Sequence, residues 1–400
     1  MSEASPFGSG GPLQDLLRNL ARLLTSQGPL NWEVARQLAA WTATEGKPED
    51  NPDPLARMKL EELVRVADMH VADATGLPTS RRGWLQVRCV TRAEWAARAL
   101  ELWRPVLEAL ASSLSPPGPA EAADASLGTG PPGDEADPMG QLLGNLPQVL
   151  APLALGAQAG AMIGHLAARA MGQYDLPMLP PETDELMAVP QVIDSFAREW
   201  SLPVDDVRMW VCLRDVAHHA VLSRPHVKEA LEAHLVGYVR AFELDERSLD
   251  ERLGNLDPTD LSSFQASLGD PEALLGALQN DQQRKLLVPF QAFLAALSGY
   301  TDFVVDKVGR RLVGSYGAVS EALRRRRLED GPGQRAIGRL LGVELDRATL
   351  ERGHGFVNGV LERAGEEALA RLWEKPGGLP TPAEVDAPGL WLARTELTAE

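Results

Sequence analysis

The sequence predicts a mainly α-helical fold with at most a few short strands. Three observations carry that expectation. Apolar residues recur at three- and four-residue spacing along most of the chain, capping residues punctuate those stretches, and only two short segments alternate like strands.

Leu13, Leu16, Leu17, Leu20, Leu23 and Leu24 would line one face of a first helix ending near Gly28. Leu60, Leu63, Val64, Ala67, Val71 and Ala74 repeat the pattern. Residues 84–90 alternate as a short strand. Thr91 and Glu94 then form a capping box for a helix carrying Trp95, Leu102, Trp103, Leu107 and Leu110, bent near Pro105. Residues 186–189 are a second strand candidate. Later helices are expected over 203–222, 227–242, 271–282, 290–309, 334–341, 346–364 and 366–374. Asp270-Pro271 supplies a cap and a first-turn proline for the third of these.

Residues 113–138 are rich in Pro, Gly, Ala and acidic side chains and bury too little apolar surface to offset ordering entropy. They read as a flexible linker between an N-terminal helical region, 1–112, and a larger helical region, 139–400. Residues 149–164 are uncharged, but they fall short of the ~20 residues of a membrane span and lack a Lys/Arg flank. Gly156, Gly160 and Gly164 recur every fourth residue, which suits close helix–helix contact. A buried helix, and no membrane span, is expected there.

The formal net charge of −17 argues against broad binding to nucleic acid or anionic membrane, both polyanionic surfaces. Arg324–Arg327 reads as a solvated run at a helix C-terminus, with no aromatic interleaving to suggest a nucleic-acid site. Cys89 and Cys212 are too few for a disulfide framework and read as core thiols. The N-terminal residues lack the order of a signal peptide, and a cytoplasmic location is expected. Phosphate-cradling loops, nucleophile elbows and CxxC pairs do not occur.

The segment richest in chemistry is 210–224, on a helix begun near Pro203 with Asp205 and Asp206 in its first turn. In an HExxH helix, residues four apart share a face, so two imidazoles grip one Zn²⁺ while the intervening Glu polarises the bound water. The pentad here is Arg214-Asp215-Val216-Ala217-His218. Taken alone it describes an Arg, an Asp and a His on a half-buried helix. An arginine offers donors only and cannot ligate zinc. His219 lies about 100° round the helix from His218, so the two do not readily face one metal. Its simplest partner is Asp215, four residues away. Tyr174 and Asp175 read as fixing a turn before Pro177, and His165, His234 and His354 as capping or core-edge residues.

Several strings together resemble the zincin-like metallopeptidase type 2 family, a mainly actinobacterial group carrying hydrolase or zinc-dependent metalloprotease labels. They are Pro29-Leu30-Asn31-Trp32, Gly172-Gln173-Tyr174-Asp175-Leu176-Pro177, Arg208-Met209-Trp210-Val211, Leu340-Leu341-Gly342-Val343-Glu344-Leu345, Gly353-His354-Gly355-Phe356-Val357 and Leu379-Pro380-Thr381. The resemblance spans about residues 11–396 and implies a zincin-like helical fold. Members typically carry an intact HExxH, and a Leu-Glu-Gly-His-like stretch whose Glu would suit a third zinc ligand. Here Arg214 stands at the first His, Asp215 at the catalytic Glu, Ser298 at the third ligand and Tyr300 at the following His. His218 alone is a matched ligand.

The expectation is therefore a pseudoenzyme that binds a peptide or protein partner, without a metal, in a cleft bordered by His219, Tyr300, Tyr174 and Asp175. Arg214 would pair with Asp215 or a cleft acid in place of the metal's charge. The alternative is an active metal-dependent hydrolase or peptidase, with zinc held at a relocated or incomplete site.

Overall fold

The computed structural model describes residues 28–114, 138–176, 178–242, 280–329 and 331–397. Its architecture is mainly α, with two short strands. Before the first strand come α1 (Trp32–Thr44) and α2 (Pro54–Thr75), and β1 is Gln86–Cys89. Next follow α3 (Arg92–Leu102), α4 (Arg104–Ser113), α5 (Pro138–Ala167) and β2 (Glu185–Ala188). The middle holds α6 (Pro190–Glu199), α7 (Val204–Leu222), α8 (Pro225–Arg240) and α9 (Asp281–Leu312). The chain continues through α10 (Tyr316–Leu328), α11 (Pro332–Leu341), α12 (Arg347–Ala364), α13 (Glu366–Glu374), α14 (Pro382–Asp386) and α15 (Pro388–Leu397).

The leucine-rich helix expected before Gly28, the linker residues 115–137 and most of the helix expected over 271–282 lie outside the described residues. Elsewhere the local signals hold. Thr91 and Glu94 make the reciprocal capping box. The break at Pro105 separates α3 from α4 at Trp103. The two strand candidates pair parallel, from Gln86↔Glu185 to Cys89↔Ala188. One boundary moves: α9 starts nine residues before the expected 290. An Asn280–Gln283 capping box opens it, and Pro289 is accommodated inside. Helix α1, α6 and the two short C-terminal helices were not legible from periodicity.

One hydrophobic cluster runs from Leu30 to Leu392 and takes side chains from nearly every helix. Close approach depends on glycine at two crossings. A Cβ at Gly156 or Gly160 would collide with the carbonyl oxygens of Asn31 and Ala35, and one at Gly164 would lie 2.7 Å from Ala39 O. The glycine stripe thus seats α5 directly on α1, whose facing positions Ala35 and Ala39 are fully buried. Gly160→Leu is expected to cost at least about 2 kcal/mol, because the obstacle is backbone that cannot give way. A urea midpoint equal to the parent's would contradict that packing. The second crossing pairs Gly299 of α9 with Gly353 of α12, each pressed on the other helix's backbone.

Among the described residues, α9 is the one helix long and apolar enough to cross a membrane, and 72% of that apolar window is buried inside the protein. Cys89 and Cys212 are free thiols. Burial pushes Cys89 up to about 11 and Cys212 higher still, so neither is a ready nucleophile.

Candidate functional site

Helix α7 threads the core. From Met209 to Leu222 every residue is buried, so it lacks the polar face of a surface helix. Its N-terminus is anchored by Asp206, whose carboxylate accepts from the backbone N–H of Ser315 at 2.7 Å and from that residue's hydroxyl at 2.6 Å. Opposite the middle of α7 lies the turn Gly172–Asp175, tied to the strand pair by a bridge from Gly172 to Ala188. Trp95 Nε1 also donates to Gly172 O at 2.8 Å. The turn needs glycine at 172, because a Cβ there would overlap the Asp215 carboxylate.

This arrangement puts Arg214 between two acids. Its Nη1 donates to Asp175 Oδ1 at 2.6 Å, while Nε and Nη2 donate to Asp215 Oδ1 at 3.1 and 3.0 Å. Asp215 also accepts from the backbone N–H groups of Gln173 at 2.6 Å and Tyr174 at 3.4 Å. Asp175 in turn accepts from the backbone N–H of Met171 and, at 3.3 Å, that of Gly172. The expected turn-fixing role of Asp175 and the expected Arg214–acid pairing are both present. Trp210 adds its ring beneath the guanidinium, 5.6 Å from centroid to Cζ.

The charges are distributed unevenly. Burial alone would raise the Asp175 carboxyl, but Arg214, Arg326 and the backbone donors hold it below the usual carboxylate range. Asp215 is pushed up to about 6, because burial and the Asp175 charge outweigh its share of Arg214. Arg214, with both acids beside it, is held above the ordinary arginine value.

His218 Nδ1 lies 2.9 Å from Arg214 O. A carbonyl only accepts, so Nδ1 carries the proton and Nε2 keeps its lone pair. Thr301 Oγ1 is 3.5 Å from that Nε2 and donates its own hydrogen to Leu297 O at 2.9 Å. Burial pushes His218 down to about 4, leaving it neutral at pH 7. His219 departs from the expected Asp215 pair. Its Nδ1 is 2.8 Å from the Tyr174 hydroxyl and its Nε2 is 3.2 Å from Ser223 Oγ. The backbone amides and Arg214 already claim Asp215, whereas Tyr174 stands beside His219. The Tyr174 ring lies 5.9 Å from the His218 ring and 6.1 Å from the His219 ring, so both imidazoles pack near it while their ring nitrogens meet different polar partners.

The second expected stretch is only partly at this site. Ser298 is buried, one helical turn before Thr301 and so on the same side of α9. Tyr300 packs edge-on against Trp373 at 5.3 Å. Asp302, two residues further along α9, was given no role from sequence. Asp302 binds Arg327 in a bidentate pair at 2.9 and 3.1 Å and meets His354 Nε2 at 3.0 Å. The arginine run is therefore not uniformly solvated. Arg324 and Arg325 are exposed beside Glu321, but Arg326 and Arg327 turn inward, since one helix cannot face four consecutive side chains the same way. His234 stacks on Phe290 at 5.2 Å, a core-edge role.

A catalytic zinc needs about three protein donors and a water. Among the described residues no three His, Cys, Asp or Glu side chains lie close enough to hold one metal ion. At the pentad, a guanidinium consumes both nearby carboxylates. These residues do not fit zinc.

The chain belongs to the zincin-like metallopeptidase family, whose profile matches residues 30–392. A solved structure from Chloroflexus aurantiacus, of a provisionally assigned hydrolase with a novel fold, is similar at TM-score 0.59 and 23% identity. The match covers 92% of this chain and 99% of that one. At that identity the likeness shows the fold. Comparison with curated proteins gives no match.

Proposed function

We propose that this chain is a non-hydrolytic member of its family, a pseudoenzyme that keeps the scaffold and works by binding a peptide or protein partner. The observation that carries this reading is the seating of Arg214. A permanently cationic side chain holds two carboxylates at the place where the family's motif would put a metal and its first imidazole. The guanidinium supplies the positive charge that those acids need, and it leaves no acid free to activate water.

The site is also closed. Arg214, Asp215, His218, His219 and Tyr174 are all less than a tenth exposed. A partner therefore docks on the surface outside the pentad.

The test is turnover of a mixed peptide library by untagged full-length protein, with and without added zinc. No cleavage above a heat-inactivated control is expected. Cleavage that disappears in His218→Ala would overturn the reading and favour an active hydrolase with an incomplete metal site.

A further inference from the structure

We propose that the cavity between the C-terminal end of α5, helix α6 and the end of α10 is a binding site for a small phosphate-bearing molecule, held by Arg169, Arg198 and Arg326. Its volume is about 510 Å³, which suits a small organic ligand. The site is separate from the pentad, and the proposal stands whether or not the chain hydrolyses peptides.

Four arginines line this space, in a chain whose overall charge is strongly negative. Arg92 already has a carboxylate, with Nε 2.7 Å from Glu49. The other three do not. Among the described residues no carboxylate lies within ion-pair distance of Arg169, Arg198 or Arg326, although Glu199 and Glu329 stand on the cavity wall. Their hydrogen bonds to described residues go to backbone carbonyls. Arg169 Nη1 donates to Glu329 O at 3.1 Å, Arg198 Nε to Asp194 O at 3.2 Å, and Arg326 Nη2 to Arg169 O. Among the described residues each fork is thus oriented by one carbonyl, and most of its N–H groups have no other partner.

Arg326 is the key cation. It is half-buried and lies over the Phe196 ring, 5.1 Å from centroid to Cζ. Burial brings it down to about 10; the Asp175 charge partly offsets this, and the positive charges of Arg169 and Arg214 add to the lowering. An anion in the cavity would add a counter-charge on the side of Arg326 that faces away from its own carbonyl partner. The three guanidiniums that line the cavity offer more N–H donors than a carboxylate's two oxygens can accept. A terminal phosphate, with three oxygens, matches them better. Phe196 and Trp200, tilted at 5.7 Å from each other, supply an apolar wall for the organic part of such a ligand. Arg326 also lines a smaller cavity of about 30 Å³ together with Asp175, the acid that grips Arg214.

Titration calorimetry of the full chain at low ionic strength tests this with phenyl phosphate, inorganic phosphate and benzoate as probes. Phenyl phosphate should bind saturably, more tightly than inorganic phosphate and at least about tenfold more tightly than benzoate. Arg198→Ala, on an exposed side chain, should weaken phenyl phosphate about tenfold while leaving the circular dichroism spectrum unchanged. Arg169→Ala provides a second variant and should act in the same direction. Absence of saturable binding at millimolar phenyl phosphate would overturn the proposal. So would benzoate binding as tightly as phenyl phosphate, or undiminished affinity in both folded variants.

Discussion

Arg214→Ala is expected to lower the free energy of unfolding by about 3–5 kcal/mol, the cost of leaving a buried ion pair without one partner. Both acids would remain in place, Asp215 only 3% exposed and Asp175 still bound to the Met171 amide, with no cation between them. Removing the acids as well should recover much of the loss. A triple variant, Arg214→Leu with Asp175→Asn and Asp215→Asn, buries no formal charge and keeps carbonyl acceptors for the backbone N–H groups of the turn. Urea unfolding of the single and triple variants separates the two cases. Equal stability of Arg214→Ala and the parent would mean that the guanidinium is not the centre of this network.

Acidification supplies the second large effect. His218 and His219 are both pushed down to about 4 by burial, from an ordinary value of 6.5. The unfolded chain therefore takes up protons on these residues at a higher pH than the folded chain does. Their contribution to stability is complete above about pH 6.5 and is lost as the pH falls towards 4. At ~1.4 kcal/mol per unit, each imidazole accounts for roughly 3 kcal/mol. Asp215 works in the opposite sense. Its folded carboxyl is raised to about 6 from 3.8, so protonation over the same window returns up to roughly 3 kcal/mol. The two histidines outweigh it, and a net loss of a few kcal/mol between pH 7 and 4.5 is expected. His218→Gln combined with His219→Gln should flatten that loss or reverse its sign. Equal parent stability at the two pH values would show that the two imidazoles together do not outweigh Asp215, against both being held neutral by the fold.

Much of the fold could be read from local signals because those signals act locally. The Thr91–Glu94 box, the break at Pro105 and the glycine spacing of α5 each specify geometry within a few residues. All three appear as expected. The start of α9 was missed because Pro289 argues for a boundary, while the Asn280–Gln283 box that opens the helix lies beyond it. Helix α1 carries buried alanines rather than large side chains on its inner face, so its periodicity is faint to a reading based on leucine and valine.

At the site, the Arg214–acid pairing was legible from charge and spacing on one helix. The choice of Asp175 as its second partner was not, since the two are thirty-nine residues apart and only the strand-supported turn brings them together. The same limit hid the roles of Arg326 and Arg327. A run of four like charges suggests a solvated surface until a neighbouring Asp302 and a packed Phe196 are in place.

The account rests on a guanidinium standing where a zinc-binding centre would need free donors. Elemental analysis of untagged protein, purified without chelator and dialysed against dilute zinc, tests this most directly. The expected result is zinc far below one equivalent per chain, unchanged in His218→Ala. One equivalent that survives dialysis into zinc-free buffer, and is lost in His218→Ala, would contradict it.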